Sequence, residues 1–416
     1  MIRSSALYIS LIISILILLV CGSLLMIGYT YKMQEQKQMR GFKLHENLES
    51  GMQVLLTSAL PADSLMRLRL FGEEGMDRQD SVQLEKRQWG IYELGTVSSW
   101  IGQDTLEKAF LIGTNLSDTL KVLYLADEDR PMSISGKSLI RGTAYLPKSG
   151  IKAAYVESSG YDDKILVHGL SKYSSRQLPQ PGAEMLKSLS ALLEPSEEEE
   201  DVLPDSAVAS FYNPSRRIHL GKEEVRLSAF TGKGNVMIFS DSVIIVEASS
   251  LLDKIILVAP CVKIEAGFRG NVQVIASDSI VVGDRVRLDY PSALLVLKND
   301  TAKFQASIKV GKDAQIAGQL FAYEKEHSVL MPMISIGTGT MIKGEIWSQG
   351  YVGLSKTASV YGSVSAIRLM ARLSGSIYEN YLIDVKLDKT LLSRYYLSSK
   401  LLNTPSKYGG LLCTVK

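Results

Sequence analysis

The chain has 416 residues, of which 46% are hydrophobic, and a formal net charge of +2. This length accommodates two or three domains with sizeable cores, and near-neutrality without a Lys/Arg stripe excludes a nucleic-acid surface. The 33 Gly and 12 Pro are too few for a low-complexity chain. Cys21, Cys261 and Cys413 show no C-x-x-C or Cys/His spacing for zinc or a redox couple. At most one disulfide is possible outside the apolar N-terminus, so cysteine usage leaves the compartment open.

Ala6–Tyr31, "ALYISLIISILILLVCGSLLMIGYTY", runs for 26 residues without a charge. About 20 apolar residues cross a bilayer core, and Tyr8, Tyr29 and Tyr31 sit where interfacial aromatics are expected. The run is longer than a signal-peptide core and lacks a small-residue cleavage site. Val20 and the apolar stretch beyond Cys21 argue against a lipoprotein box. Residues 1–31 are therefore read as a transmembrane anchor. Leu44, Leu48, Met52, Leu55 and Ala59 then recur at helical spacing before Pro61. They predict that residues 32–60 continue the helix with one apolar stripe, over a total length of roughly 80 Å. The short polar start and long apolar helix resemble type IV pilins and pseudopilins, but without a Gly cleavage site or a Glu near the start of the apolar stretch. Only Arg3 precedes the span, whereas Lys32, Lys37, Arg40 and Lys43 follow it. Counted alone, these charges favour a cytoplasmic bulk, yet long domains translocate regardless of them. The expected location is the inner (cytoplasmic) membrane, single-pass, with the bulk periplasmic or extracellular and the orientation left open.

From residue 61 to 132 the segments "SLMRLRLF", "DSVQLEKRQWGIYEL", "EKAFLIG" and "LKVLYLAD" predict a small antiparallel β-rich domain. Over 133–194, Gly136, Gly142 and Gly150 punctuate what reads as short β rungs. Residues 195–204, within "LEPSEEEEDVLP", read as a solvated acidic loop. Glu197 to Asp201 lack the Gly turn and Asp-x-Asp spacing of an EF-hand, so no cation site is expected there.

Residues 205–366 read as one repetitive domain, within which Asn235–Leu297 aligns with itself. "VMIF" (Val236–Phe239), "IILV" (Ile255–Val258) and "VQVI" (Val272–Ile275) start 19 and then 17 residues apart, and second strands beginning at Val243, Val262 and Ile280 follow at 19 and 18. Between them stand "SDS", "APC" and "SDS", which place Asp241, Pro260 and Asp278 at equivalent corners. "VGKDAQIAGQL", "IGTGTMIKGEI" and "LSKTASVYGSV" share a second template, with Gly318, Gly344 and Gly362 in equivalent places where a coil must turn or backbones approach. The excess length of the first gap falls in "AYEKEHSVLMP", a loop excursion. Short apolar strands at about 18 residues predict a parallel β-helix of undecided hand. Residues 367–416 abandon the pattern and read as a terminal cap. The fold class expected is mainly β with one long N-terminal α-helix: anchor, small β-rich domain and C-terminal solenoid.

On cadence, residues 235–365 resemble the bactofilin-type polymer-forming domains. That resemblance implies Gly-punctuated rungs, no active site and a membrane-targeting N-terminus; the full span and the β-rich middle depart from it. The whole chain resembles uncharacterised single-span Bacteroidetes envelope proteins with a pilin-like N-terminal helix, on "WGIYEL", "GTAYLPKSGIK" and "LVAPCVKIEAGFRGNVQVIA". This second resemblance implies the cell envelope and no established activity.

Asp241 and Asp278 are the one candidate carboxylate pair, two rungs and about 10 Å apart. Paired glycosidase carboxylates stand about 5–9.5 Å apart, and the rung between them has no acid. They are read as structural, as are Pro260, Gly318, Gly344 and Gly362. His45, His168, His219 and His327 are scattered outside any H-x-x-H or nucleophile pattern, and no G-x-S-x-G, Walker loop or dinucleotide fingerprint is present. No catalytic, cofactor or metal site is expected. The expected role is a non-catalytic, membrane-anchored structural or assembly component of a pilus-like, secretion or adhesion apparatus. Its partners would be the lipid bilayer, other envelope proteins, further copies through the helix or a solenoid end, and polysaccharide. A cytoplasmic, membrane-tethered polymerising scaffold and a carbohydrate-active β-helix enzyme are the alternatives.

Overall fold

The computed structural model describes residues 2–58, 60–68, 80–115, 121–157, 160–194, 201–299, 304–326, 328–373, 375–402 and 409–415. His327 and the acidic run 195–200 lie outside them. Helix α1 spans Ile2–Thr57, followed by β1 (Ser64–Leu68), β2 (Asp80–Trp89), β3 (Tyr92–Ile101), β4 (Asp104–Asn115), β5 (Lys121–Leu125), β6 (Met132–Ser135), β7 (Leu139–Arg141), β8 (Thr143–Leu146), β9 (Ile151–Ala153) and β10 (Ser171–Tyr173). After α2 (Ala183–Ala191) come β11 (Ser206–Ala209), β12 (Arg216–Leu220), β13 (Val225–Leu227), β14 (Thr231–Ser240), β15 (Val243–Val246), β16 (Leu251–Ile264), β17 (Arg269–Val282) and β18 (Arg287–Lys298). The last strands are β19 (Ser307–Val310), β20 (Gln315–Glu324), β21 (Met333–Ile336), β22 (Met341–Leu354), β23 (Ser359–Leu373), β24 (Ser376–Glu379), β25 (Tyr381–Ile383), β26 (Lys386–Asp388), β27 (Leu397–Ser398) and β28 (Gly409–Val415). The chain forms two compact units: residues 1–55, 63–86 and 95–108, and residues 56–62, 87–94 and 109–416.

In the first unit, α1 is long and apolar enough to cross a membrane, with mean hydropathy 2.9 in a window that is 0% buried. Its 56 residues extend about 84 Å. Within the apolar run Ser10, Ser14, Ser23 and Thr30 return their hydroxyls to carbonyls three or four residues back, at 2.8–3.0 Å. These four hydroxyls are thereby satisfied within the helix, as a hydrocarbon environment requires. Further along, Leu44, Leu48, Met52 and Leu55 are buried, in agreement with the helical stripe. Gly51 stands where the helix meets the sheet: a Cβ there would lie 2.7 Å from Val82 Cγ1 and 2.9 Å from Val97 Cγ1. Arg40–Asp104 at 2.9 Å and Lys108–Glu49 at 3.1 Å tie the same helix to β4. Both pairs are substantially exposed and contribute little beside the apolar contact.

The second unit is built on a parallel sheet whose hydrogen-bonded strand network closes on itself. The register aligns one column of side chains, Ile218, Ile238, Leu257, Val274, Leu294, Leu320, Ile346 and Val364. The column does not stop at β23: Val364 is followed by Leu123 of β5 and Ala144 of β8. All ten belong to one apolar core. The next residue of each strand belongs to the opposite face, and Val258, Ile275, Leu295, Phe321 and Trp347 there form a second core with Trp89, Met185 and Leu189 of other segments. Two-faced burial explains why these strands read as continuous apolar runs instead of alternating.

Two expectations are corrected by this register. Residues 121–125, assigned to the antiparallel region, pair in parallel with β23, because β5 is apolar on both faces and needs two-sided cover. Residues 367–416 do not form a simple cap. β25 and β26 continue the parallel pairing onto β6 and β7, while β27 and β28 run antiparallel to β4.

Gly51→Leu is expected to destabilise the first unit by about 1–3 kcal/mol through overpacking. Gly51→Ala is expected to cost less, because a helix-propensity gain of about 1 kcal/mol offsets part of the crowding. Urea melts of the two variants check this order.

Candidate functional site

The predicted corners fall where strand pairing shifts. Phe239 pairs with Val258 and Val243 with Cys261, and Ala259 and Cys261 pair in turn with Ala276 and Ser279. Asp241, Pro260 and Asp278 therefore occupy corresponding positions on neighbouring strands. Small side chains close each corner locally: Ser240 Oγ accepts from Ser242 N at 3.2 Å, Ser277 Oγ donates to Asp278 Oδ1 at 2.6 Å, and Cys261 Sγ lies 3.2 Å from Ser279 Oγ. All three cysteines are free.

A groove of about 420 Å³ opens beside this corner. Asp241 lines it together with Glu194, His219 and Lys222, whereas Asp278 does not. The two aspartates are thus not brought together on one cavity. Glu194 and Lys222 escape sequence reasoning because they come from outside the repeat and carry no motif. His219 stacks on Phe239 at 4.5 Å with ring planes 3° apart, and Asp201 Oδ2 accepts its backbone N–H at 2.9 Å. Its ring thus lines the groove while stacked on Phe239. His168, by contrast, hydrogen-bonds Asp163 at 2.7 Å and lowers that carboxyl's pKa. Among the described residues no group of three or more His, Cys, Asp or Glu side chains is arranged to hold a metal ion.

Gly318, Gly344 and Gly362 are direct register partners on β20, β22 and β23. Their φ values are +150°, +149° and +153°. A Cβ on Gly344 would collide with the carbonyl oxygen of Gly318, and one on Gly362 with that of Gly344. Glycine is required here by both conformation and backbone approach.

A buried polar seam that carries no sequence signature lies on the outer face. Gln273, fully buried, accepts from Ile91 N at 2.8 Å through Oε1 and so holds the Trp89–Ile91 turn. Two strands on, Gln319 Nε2 donates to Glu345 Oε2 at 2.6 Å, and Ser399 Oγ donates to Gln319 Oε1 at 2.6 Å. Ser398 Oγ also donates to Glu345. Tyr290 OH donates to Leu397 O at 2.8 Å and accepts from Leu397 N at 3.1 Å. Lys400 pairs with buried Glu93 at 2.5 Å. These bonds fasten the C-terminal segment to the ladder. Burial, with Glu345 nearby, raises the pKa values of Tyr92, Tyr290 and Tyr396, so the seam is built for neutral phenols.

Comparison of the chain with protein-family models, with curated proteins and with solved structures finds no match.

Gly344→Ala is expected to lose about 1–3 kcal/mol from backbone conformation alone, with the collision added, whereas Asp241→Ala should stay within about 0.5 kcal/mol of the parent. Calorimetric melts distinguish the two. Unfolded tyrosines ionise near pH 10, while the buried ones keep their protons to higher pH. The folded chain then binds more protons, so stability is complete below about pH 10 and falls as pH rises past it. Tyr290→Phe is expected to make that alkaline decline shallower in melts across the range.

Proposed function

We propose that this chain is a membrane-anchored, non-catalytic structural or assembly component of the cell envelope. Its apolar N-terminal helix holds it in the inner membrane, and its β-rich part presents a stiff surface outside the cytoplasm to other envelope proteins. The reading rests chiefly on α1, in which an 18-residue window with mean hydropathy 2.9 is entirely uncovered by protein. An exposed surface of this composition needs lipid to cover it.

We propose further that the parallel sheet is a solenoid. In support, successive pairs Val236–Ile255 and Ile255–Val272 advance by 19 and 17 residues, the step of a coil returning to the same face. A geometric role fits what surrounds the corners. Asp241 and Asp278 act as turn residues, and three buried side chains with hydrogen-bonding chemistry, Gln273, Gln319 and Glu345, are consumed in fastening chain segments together.

Full-length protein is expected to remain in the membrane pellet after alkaline carbonate washing and to leave it only with detergent, while a chain lacking residues 1–31 is expected in the soluble fraction. Release of the full-length chain by carbonate would contradict the anchor. Protease added to spheroplasts is expected to digest the portion after residue 31, and its protection there, with digestion only after lysis, would place the bulk in the cytoplasm.

A further inference from the structure

We propose that α1, just beyond its apolar run, forms with the β3–β4 turn a binding site for the headgroup of an anionic phospholipid. The proposal rests on the reading of α1 as a membrane anchor. Every residue from Lys32 to Lys43 is exposed, and the segment holds four cations, Lys32, Lys37, Arg40 and Lys43, against the single acid Glu35. Met33, Met39 and Phe42 stand among them at 52%, 57% and 74% exposure. Basic residues mixed with uncovered apolar ones are the composition of a segment that lies against anionic headgroups. The position fits as well. The 26-residue uncharged run is about 39 Å long, more than the roughly 30 Å hydrocarbon core. Tilt absorbs the excess, and a tilted helix leans one side of residues 32–43 over the headgroup layer.

One side of that segment carries a groove of about 800 Å³, lined on α1 by Gln36, Met39, Arg40 and Lys43 and across from them by Gly102 and Asp104 of the turn. Lys32, Gln36, Met39 and Lys43 recur at helical spacing, which puts Lys32 on the same stripe at its membrane end, whereas Lys37 falls on another side. Asp104 Oδ2 accepts from Arg40 Nε at 2.9 Å. That bond holds the guanidinium at the groove, and a guanidinium so held can still donate from its terminal nitrogens to a phosphate. Long side chains on a helix lean toward its N-terminus, which here is toward the bilayer, so Arg40 and Lys43 reach down toward Lys32. Glu35, at the lower edge of the groove, is placed to accept from headgroup hydroxyls. Cations converging on one groove suit a phosphate whose charge is not cancelled within its own headgroup, which favours an anionic lipid over a zwitterionic one.

Native mass spectrometry of the detergent-solubilised full-length chain, offered phosphatidylglycerol and phosphatidylcholine in equal amounts, tests this. Wild type is expected to retain phosphatidylglycerol in preference. Lys32→Gln and Lys43→Gln are each expected to retain about fivefold less of it, the scale of one basic residue against anionic lipid, and Lys37→Gln to stay within about twofold of wild type. All three replace exposed side chains and are expected to melt with wild type, so lost retention is not lost folding. Equal retention of the two lipids by wild type overturns the proposal. So does a loss in Lys37→Gln that matches the loss in Lys43→Gln, which would be charge without a site. Displacement of the lipid by inorganic phosphate at constant ionic strength would assign the groove to a free anion and overturn it too. The outcome is separable from that of the carbonate wash: a chain that stays in the pellet but shows no headgroup preference is anchored and lacks this site.

Discussion

A parallel sheet is stable only when both of its faces are covered, and that requirement organises the second unit of this chain. The inward column from Ile218 to Val364 fills one core. The outward column, including Ile275, Leu295, Phe321 and Trp347, is a second apolar surface that water cannot be left to cover. Trp89, Tyr92, Met185, Leu189 and Leu401 supply the cover from sequence positions on both sides of the repeat. Phe321 and Trp347, direct register partners, stack at 4.6 Å and carry a large share of that surface.

Apolar cover alone leaves many alternative ways of docking, and the polar seam removes them. A buried amide or carboxylate is costly unless its partners stand in the right places. Gln273 accepts only the Ile91 turn, and Gln319 with Glu345 accepts the hydroxyls of Ser398 and Ser399. Gly90 fits the same logic, since a Cβ there would overlap the Gln273 amide. Specificity thus comes from a few polar contacts laid over a broad apolar one.

The repeated strands were legible in the sequence because each one restates the same local pattern. The glycine template located Gly318, Gly344 and Gly362, and the structure gives them the positive φ and close carbonyl approach that only glycine permits. The helical stripe of Leu44, Leu48, Met52 and Leu55 was legible for the same reason. Partnership between distant segments was not. Nothing in "LKVLYLAD" says that its strand follows Val364 and not its neighbours in sequence, because a strand apolar on both faces carries no mark of which edge it joins. Gln273, Gln319 and Glu345 were equally silent, since a lone polar residue in a strand looks solvent-facing until its partner is known. At the corners, the repeat marked Asp241 and Asp278, but Glu194 and Lys222 reach the groove beside Asp241 by tertiary placement.

One ladder is made from two stretches of chain, with residues 121–146 stacked on the end of residues 216–366. Ser365 and Tyr124 are register partners across that junction. Neighbouring strands about 4.8 Å apart fall within the roughly 4.4–6.8 Å that a disulfide bridges. With the native cysteines replaced, Ser365→Cys and Tyr124→Cys introduced together should oxidise to a single intramolecular disulfide, identified by mass spectrometry of the linked peptides. Free thiols at both positions in the folded protein, or preferential linkage when Ser363→Cys takes the place of Ser365→Cys, would contradict the composite ladder.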